Sequence, residues 1–357
     1  MERLRNYHTS ASKICLMGCI TDVLNYYGFA LCEGALFVHA EGSMPYYKPF
    51  SIDEYIENSH TAVPPFPIFG GMRYDIPFML DRLQDNLNLK INRFSVQAEQ
   101  EARDIVTAHI SQGMPVLSLL SRKFLPYMHK GFQDDVTHCI NVIGCDTKAL
   151  FVSDTYIPTN PVTIYEGTLS VSDFIKSVNA SIDIFYAKFP FNCITISQED
   201  PQAFQRKSLT EKLEPFRNLQ SQHFASSVNR DGYYVGLRAY EKLLEDMDTW
   251  FAYCRYPIFT GLMAMLHAKI TNFGGPVITN SLLSDYFCFL SSAGNMQILN
   301  SLGDMFLNLG KKWLTVGNLC GKASVVFHNN SGRGIKQKLS EVIALEREIY
   351  TIAQTGL

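Results

Sequence analysis

Apolar and polar positions change period along this chain. From Cys15 to Gly28, Leu16, Ile20, Val23, Leu24 and Tyr27 recur at i, i+4, i+7, i+8 and i+11, one apolar face of a helix. Gly28 follows the last periodic residue and stops the helix, and Ser10 and Ser12 are candidate N-caps. Phe29–Val38 leads through a short loop into a second apolar helix or strand. Glu41–Tyr47 reads as a Gly/Pro-punctuated aromatic loop, and 62–73 as a Pro- and Gly-rich loop. A helical pattern returns over Tyr74–Leu83, alternation over Lys90–Val96, and a helix over Ala102–Ile110. A buried strand follows Gly113, and Leu125-Pro126-Tyr127 lies in a polar loop.

From Val136 to Ile143 the chain is a β-branched run closed by Gly144-Cys145-Asp146, and Ala149–Asp154 is a second apolar run ending in a carboxylate. Together they predict a hairpin that returns Asp154 to His138. Short strands are expected near Val162–Tyr165, Ile182–Phe189 and Asn192–Ile196. Beyond about residue 200 helical periods take over, at roughly 204–224, 231–255, 258–272, 278–293, 296–318 and 334–354. In the fourth, Leu282, Leu283, Tyr286, Phe287 and Leu290 make one wide apolar face. Two domains are therefore expected, 1–200 mixed and 201–357 helical.

Composition narrows the function class. A chain of 357 residues exceeds what one core usually holds. A formal net charge of −3 argues against a nucleic-acid binder. No apolar run reaches membrane-spanning length, and Met1–Asn6 has no signal-peptide core, so a cytoplasmic protein with no membrane partner is expected. Its nine cysteines are then mostly reduced, and their spacing fits no zinc pattern. Asn272-Phe273-Gly274-Gly275-Pro276 reads as a helix–helix turn and matches no phosphate-loop fingerprint.

Three residues carry candidate chemistry. Cys15 is placed in the first helical turn, where unpaired N–H groups and the positive end of the macrodipole favour a thiolate. Cys19, one turn on, lacks that position. His138 would serve as base and Asp154 as its orienter, an order of parts like that of papain. The bland alternatives are a small core cysteine, a structural strand histidine and a turn-forming aspartate.

These residues sit inside a longer series of motifs. Cys15–Gly28, Cys32-Glu33-Gly34-Ala35-Leu36-Phe37, Glu41-Gly42 through Tyr46-Tyr47, Gly70-Gly71-Met72-Arg73, Gly113–Val116, Leu125–Tyr127 and His138–Asp146 run in order. In that order the chain resembles the butirosin biosynthesis protein H family of bacteria. The resemblance implies an α+β papain-like N-terminal domain with an antiparallel sheet, and an all-helical C-terminal domain covering the pocket. It implies acyl transfer: an acyl group on the phosphopantetheine of an acyl or peptidyl carrier protein passes to Cys15, then to a small-molecule amine acceptor, with no cofactor of the enzyme's own. His138 and Asp154 would be the catalytic partners. Glu41, Tyr46, Tyr47, Arg73 and Tyr127 would line the substrate site, and a homodimer is one assembly to test. Ile14 stands where the family has a histidine before the cysteine, Thr9 where papain relatives carry an oxyanion glutamine, and no Arg follows Gly274-Gly275 at the family's spacing. A papain-like peptidase or amidase, using water as acceptor, is the enzyme alternative. A catalytically inactive papain-like binding module is the other.

Overall fold

The computed structural model describes residues 2–49, 68–73, 75–133, 136–159, 161–180, 183–184, 187–188, 191–198, 200–225, 228, 232–253, 256–272, 274–294, 296–326 and 331–357. The chain divides into two compact units. One is Met1–Ala40 with Tyr74–Ser208, the other Glu41–Arg73 with Leu209–Leu357. The expected contiguous division at about 200 is corrected: the stretch 41–73 belongs with the C-terminal half. Pairings between segments this far apart leave no mark on local periodicity.

In chain order the strands are β1 (Glu2–Arg3), β2 (Ser43–Lys48), β3 (Ile68–Met72), β4 (Lys90–Phe94), β5 (Val116–Ser121), β6 (Thr137–Cys145), β7 (Ala149–Ile157), β8 (Thr163–Ser170), β9 (Asp183–Ile184), β10 (Ala187–Lys188), β11 (Cys193–Ser197) and β12 (Tyr234–Val235). The first unit is built on a seven-stranded sheet in the order β4-β11-β5-β6-β7-β8, with β1 added to β6. Every pairing in it is antiparallel. The α+β expectation with an antiparallel sheet therefore holds. Helices Glu99–Ile110 and Val171–Asn179 bury Val106, Ile110, Phe174 and Val178 against Ile140, Val142, Leu150 and Val152. By strand alternation Cys139 and Asn141 face the other way, toward helix α1 (Cys15–Tyr26). Helix α1 packs on β6, β7 and helix α2 (Glu33–His39). Crowded on all sides, it is buried continuously from Leu16 to Leu24 and not only along its apolar face. Gly28 stops it in the left-handed conformation at φ 89°.

The second unit is largely helical, as its periodicity predicts. Its helices include Leu209–Phe224, Leu237–Tyr253, Tyr256–Thr271, Pro276–Gly294, Gln297–Val325 and Ser331–Gly356. Leu282, Leu283, Tyr286, Phe287 and Leu290 are all buried, and Phe287 stacks on Phe306. It is not all-helical. The expected loops at 43–47 and 68–72 are β2 and β3, which with β12 form a three-stranded antiparallel sheet. Glycine at position 70 is needed there, because a Cβ would lie 2.4 Å from the Tyr46 hydroxyl. The Pro64–Pro67 part of the expected loop lies outside the described residues. Among those described, no helix is long and apolar enough to cross a membrane.

Candidate active site

Cys15 is the first residue of α1, and the cap position before it is Ile14, with no side-chain cap. The serines expected to cap are used elsewhere: the Ser12 hydroxyl donates to the Thr155 carbonyl at 3.2 Å and meets the Thr155 hydroxyl at 3.0 Å. The Ser10 N–H donates to Asp22. The Glu33 carboxylate instead accepts the Lys13 N–H at 2.9 Å and the Ile14 N–H at 2.7 Å. That fixes the chain entering the helix while no side chain caps the N–H groups that begin at Cys15. Gly18 makes the approach possible: a Cβ there would fall 2.3 Å from Ser12 Cβ and 2.6 Å from the Thr155 hydroxyl.

The predicted hairpin forms. The Asp146 carboxylate caps its turn, accepting the Lys148 and Ala149 N–H groups at 2.8 Å each. Asn141 pairs with Ser153 and Val142 with Val152. Run on, that register sets Asp154 opposite Ile140 and so diagonal to His138, within side-chain reach. His138 Nε2 lies 2.7 Å from Asp154 Oδ2, with the two residues 2 % and 0 % exposed.

With Nε2 committed to Asp154, the other ring nitrogen of His138 is left for Cys15, and each of the two groups shifts the other's titration. The neighbouring Cys139 is the largest influence on Cys15; with the imidazole and its charge it outweighs burial and holds the Cys15 thiol well below the ordinary range. Burial alone would lower His138, but the Asp154 charge and hydrogen bond, joined by Cys15, push it up to about 10. Both shifts run in the direction that favours a thiolate beside an imidazolium. Cys19 is different: it is fully buried, its thiol donates to the Cys139 carbonyl at 3.4 Å, and burial followed by the Asp154 and Cys15 charges pushes it well up.

Asp154 is held at both oxygens. Oδ1 accepts the Tyr156 N–H at 3.0 Å, and Oδ2 accepts the Tyr127 hydroxyl at 3.0 Å. Sequence reading missed the Tyr156 N–H, the influence of Cys139 and the Glu33 clamp. Only Cys139 left a signal, its adjacency to His138.

Of the expected substrate residues, Tyr127 lies in the first unit and the others in the second. The Tyr127 hydroxyl donates to Asp154 at 3.0 Å. Glu41, Tyr46, Tyr47 and Arg73 belong to the second unit. Tyr47 is 0 % exposed and its hydroxyl donates to Asp246 at 2.8 Å. Glu41 and Arg73 are brought together: Arg73 Nε donates to the Glu41 carbonyl at 3.3 Å, and Gln222 bridges the two side chains at 2.6 Å on each side. Tyr46 is buried among the same unit's rings, edge-on to Tyr233. Thr9, at the oxyanion-glutamine position, has its hydroxyl taken up by Ser153 and Glu166.

No curated protein matches the chain. Residues 14–155, which hold Cys15, His138, Cys139 and Asp154, match the family model described as butirosin biosynthesis protein H, N-terminal, the family whose motifs the sequence carries in the same order.

Proposed function

We propose that this chain is a papain-like cysteine acyltransferase of antibiotic or related secondary metabolism. The observation that carries the reading is the buried His138–Asp154 pair, 2.7 Å apart, beside a cysteine at an uncapped helix start whose thiol the imidazole helps to lower. The family match over 14–155 supports the biosynthetic setting.

In this reading the Cys15 thiolate adds to the carbonyl of a thioester borne on the phosphopantetheine of an acyl or peptidyl carrier protein. Backbone N–H groups at the start of α1, that of Cys15 first, receive the oxyanion. The bond to the carrier sulfur breaks, and His138 supplies the proton that makes the free carrier thiol. An amine then attacks the Cys15 thioester and gives its proton to His138, forming the amide as the Cys15 thiolate leaves. Thioester exchange is nearly isoenergetic, so the acyl-enzyme splits the reaction into two accessible steps. Asp154 orients the imidazole and balances its charge throughout.

The test is intact-mass recording of the protein with an acyl-carrier thioester, with and without an amine. An adduct on Cys15 that an amine discharges faster than water supports transfer. Discharge by water alone gives the amidase or peptidase reading, and no adduct gives the binding module.

A further inference from the structure

Tyr127 sits in the loop between β5 and β6, and its hydroxyl donates at 3.0 Å to the same Asp154 oxygen that faces His138 at 2.7 Å. Its ring is stacked on Tyr165 of β8, with centroids 3.9 Å apart and planes 9° from parallel. Tyr165 is itself held, its hydroxyl donating to the Thr168 carbonyl at 3.2 Å. Its ring lies back over Gly167, where an added Cβ would fall 2.3 Å from the Tyr165 oxygen. The chain of contacts thus runs from Gly167 through Tyr165 and Tyr127 to the Asp154 carboxylate.

We propose that Tyr127 is a positioning residue for the Cys15–His138 pair, acting through Asp154, and that Tyr165 is the platform that aims its hydroxyl. The proposal rests on Cys15 and His138 being the reacting groups. A buried carboxylate stays ionised only when donors replace its water. Asp154 has the His138 ring, the Tyr156 N–H and the Tyr127 hydroxyl. Burial, followed by the Asp154 charge, keeps the Tyr127 phenol well above its ordinary range, so it remains a neutral donor at any working pH. Removing that donor loosens the hold of Asp154 on the His138 ring, and an imidazole held less firmly favours the Cys15 thiolate less. Among the described residues, the other titratable groups bearing on this cluster include Cys139, Cys19, Asp22, Tyr156, Glu33 and Arg122, and a substitution at 127 replaces none of them.

The experiment is the pH profile of iodoacetamide alkylation of Cys15, followed on its own peptide, in wild type, Tyr127→Phe and Tyr165→Leu. Phe keeps the stacked ring and removes only the hydroxyl. The expected result is an acid limb moved up by about one pH unit, a roughly tenfold slower alkylation on that limb, with the thermal midpoint little changed. Tyr165→Leu keeps the hydroxyl and frees the ring, so a smaller shift in the same direction is expected. A Tyr127→Phe profile superimposed on wild type overturns the proposal. If that variant does not fold, an unshifted Tyr165→Leu profile overturns it instead. Alkylation needs no acyl donor, so a shifted profile in a protein that transfers no acyl group removes the proposed function and leaves the positioning role standing.

Discussion

His138–Asp154 in the first unit and His223–Glu346 in the second are both histidine–carboxylate pairs shut away from water. His138 and Asp154 are 2 % and 0 % exposed, His223 and Glu346 3 % each. The two histidines are shifted in opposite directions. Asp154 takes hydrogen bonds at both oxygens, and His138 is pushed up to about 10. Glu346 has one donor, the Trp313 indole N–H at 3.1 Å, and His223 Nε2 stands 3.5 Å away outside hydrogen-bonding geometry. Burial therefore wins: it pushes Glu346 up to about 8, against the Trp313 bond, and lowers His223 to about 3. The His223 ring is stacked on Tyr350, with centroids 4.0 Å apart, as a core residue would be. Burying a charge costs several kcal/mol unless its lone pairs are satisfied. Burial is common to both pairs; the donors on the carboxylate and the direct hydrogen bond to the imidazole separate the first from the second.

The sharpest break of this comparison is chemical. Cys15→Ala should abolish covalent acylation, read as the absence of any acyl adduct by intact mass, since the acyl group then has no sulfur to occupy. His138→Ala should fold and slow single-turnover acylation by about a hundredfold or more, through loss of the imidazolium that favours the thiolate and protonates the leaving carrier sulfur. His223→Phe should leave that rate unchanged. Equal losses from the two histidine changes, each in proportion to unfolding, would make His138 as structural as His223.

Asp154→Asn should slow acylation by about tenfold, less than the histidine change, because a thiolate–imidazolium pair forms without much help from its orienter. Single-turnover rates beside thermal midpoints measure this.

The core pair should show in stability rather than rate. Glu346 has a folded-state value raised from 4.5 to about 8, so the folded protein holds that proton where the unfolded chain releases it. Stability from this group then falls as pH rises from about 4.5 to about 8. Glu346→Gln should remove that slope and raise the thermal midpoint by a few degrees, on the order of 4 °C per kcal/mol, above pH 8. A midpoint curve unchanged by the substitution would show that Glu346 is ionised in the fold.

The smallest effect separates the two histidines by sign. His138, raised to about 10, contributes stability that is complete below 6.5 and lost as pH rises through about 10. His223, lowered to about 3, acts the other way: stability is complete above 6.5 and falls as pH drops toward 3. His223→Phe should flatten the acid side of the midpoint-against-pH curve, and His138→Phe should not.

Local pattern by itself determined a good deal of this protein. Apolar residues at i, i+4, i+7 and i+8 set α1 and its start at Cys15, because helical burial depends on neighbours three and four residues apart. Alternation on either side of Gly144-Cys145-Asp146 set the hairpin, and a period of two then sends Asp154 back beside His138. The helical half was legible in the same way. Tertiary structure alone decided the rest. That 41–73 joins the second unit, that Glu33 holds the N–H groups before Cys15, and that Tyr47 is spent on Asp246 are contacts across 19 to 199 residues of chain. The spacing of apolar positions reports which face of an element is buried, and is silent on which distant donor meets it there. The charge of a buried carboxylate depends on those donors, so the state of His138–Asp154, and its difference from His223–Glu346, was settled only when the chain had folded around both.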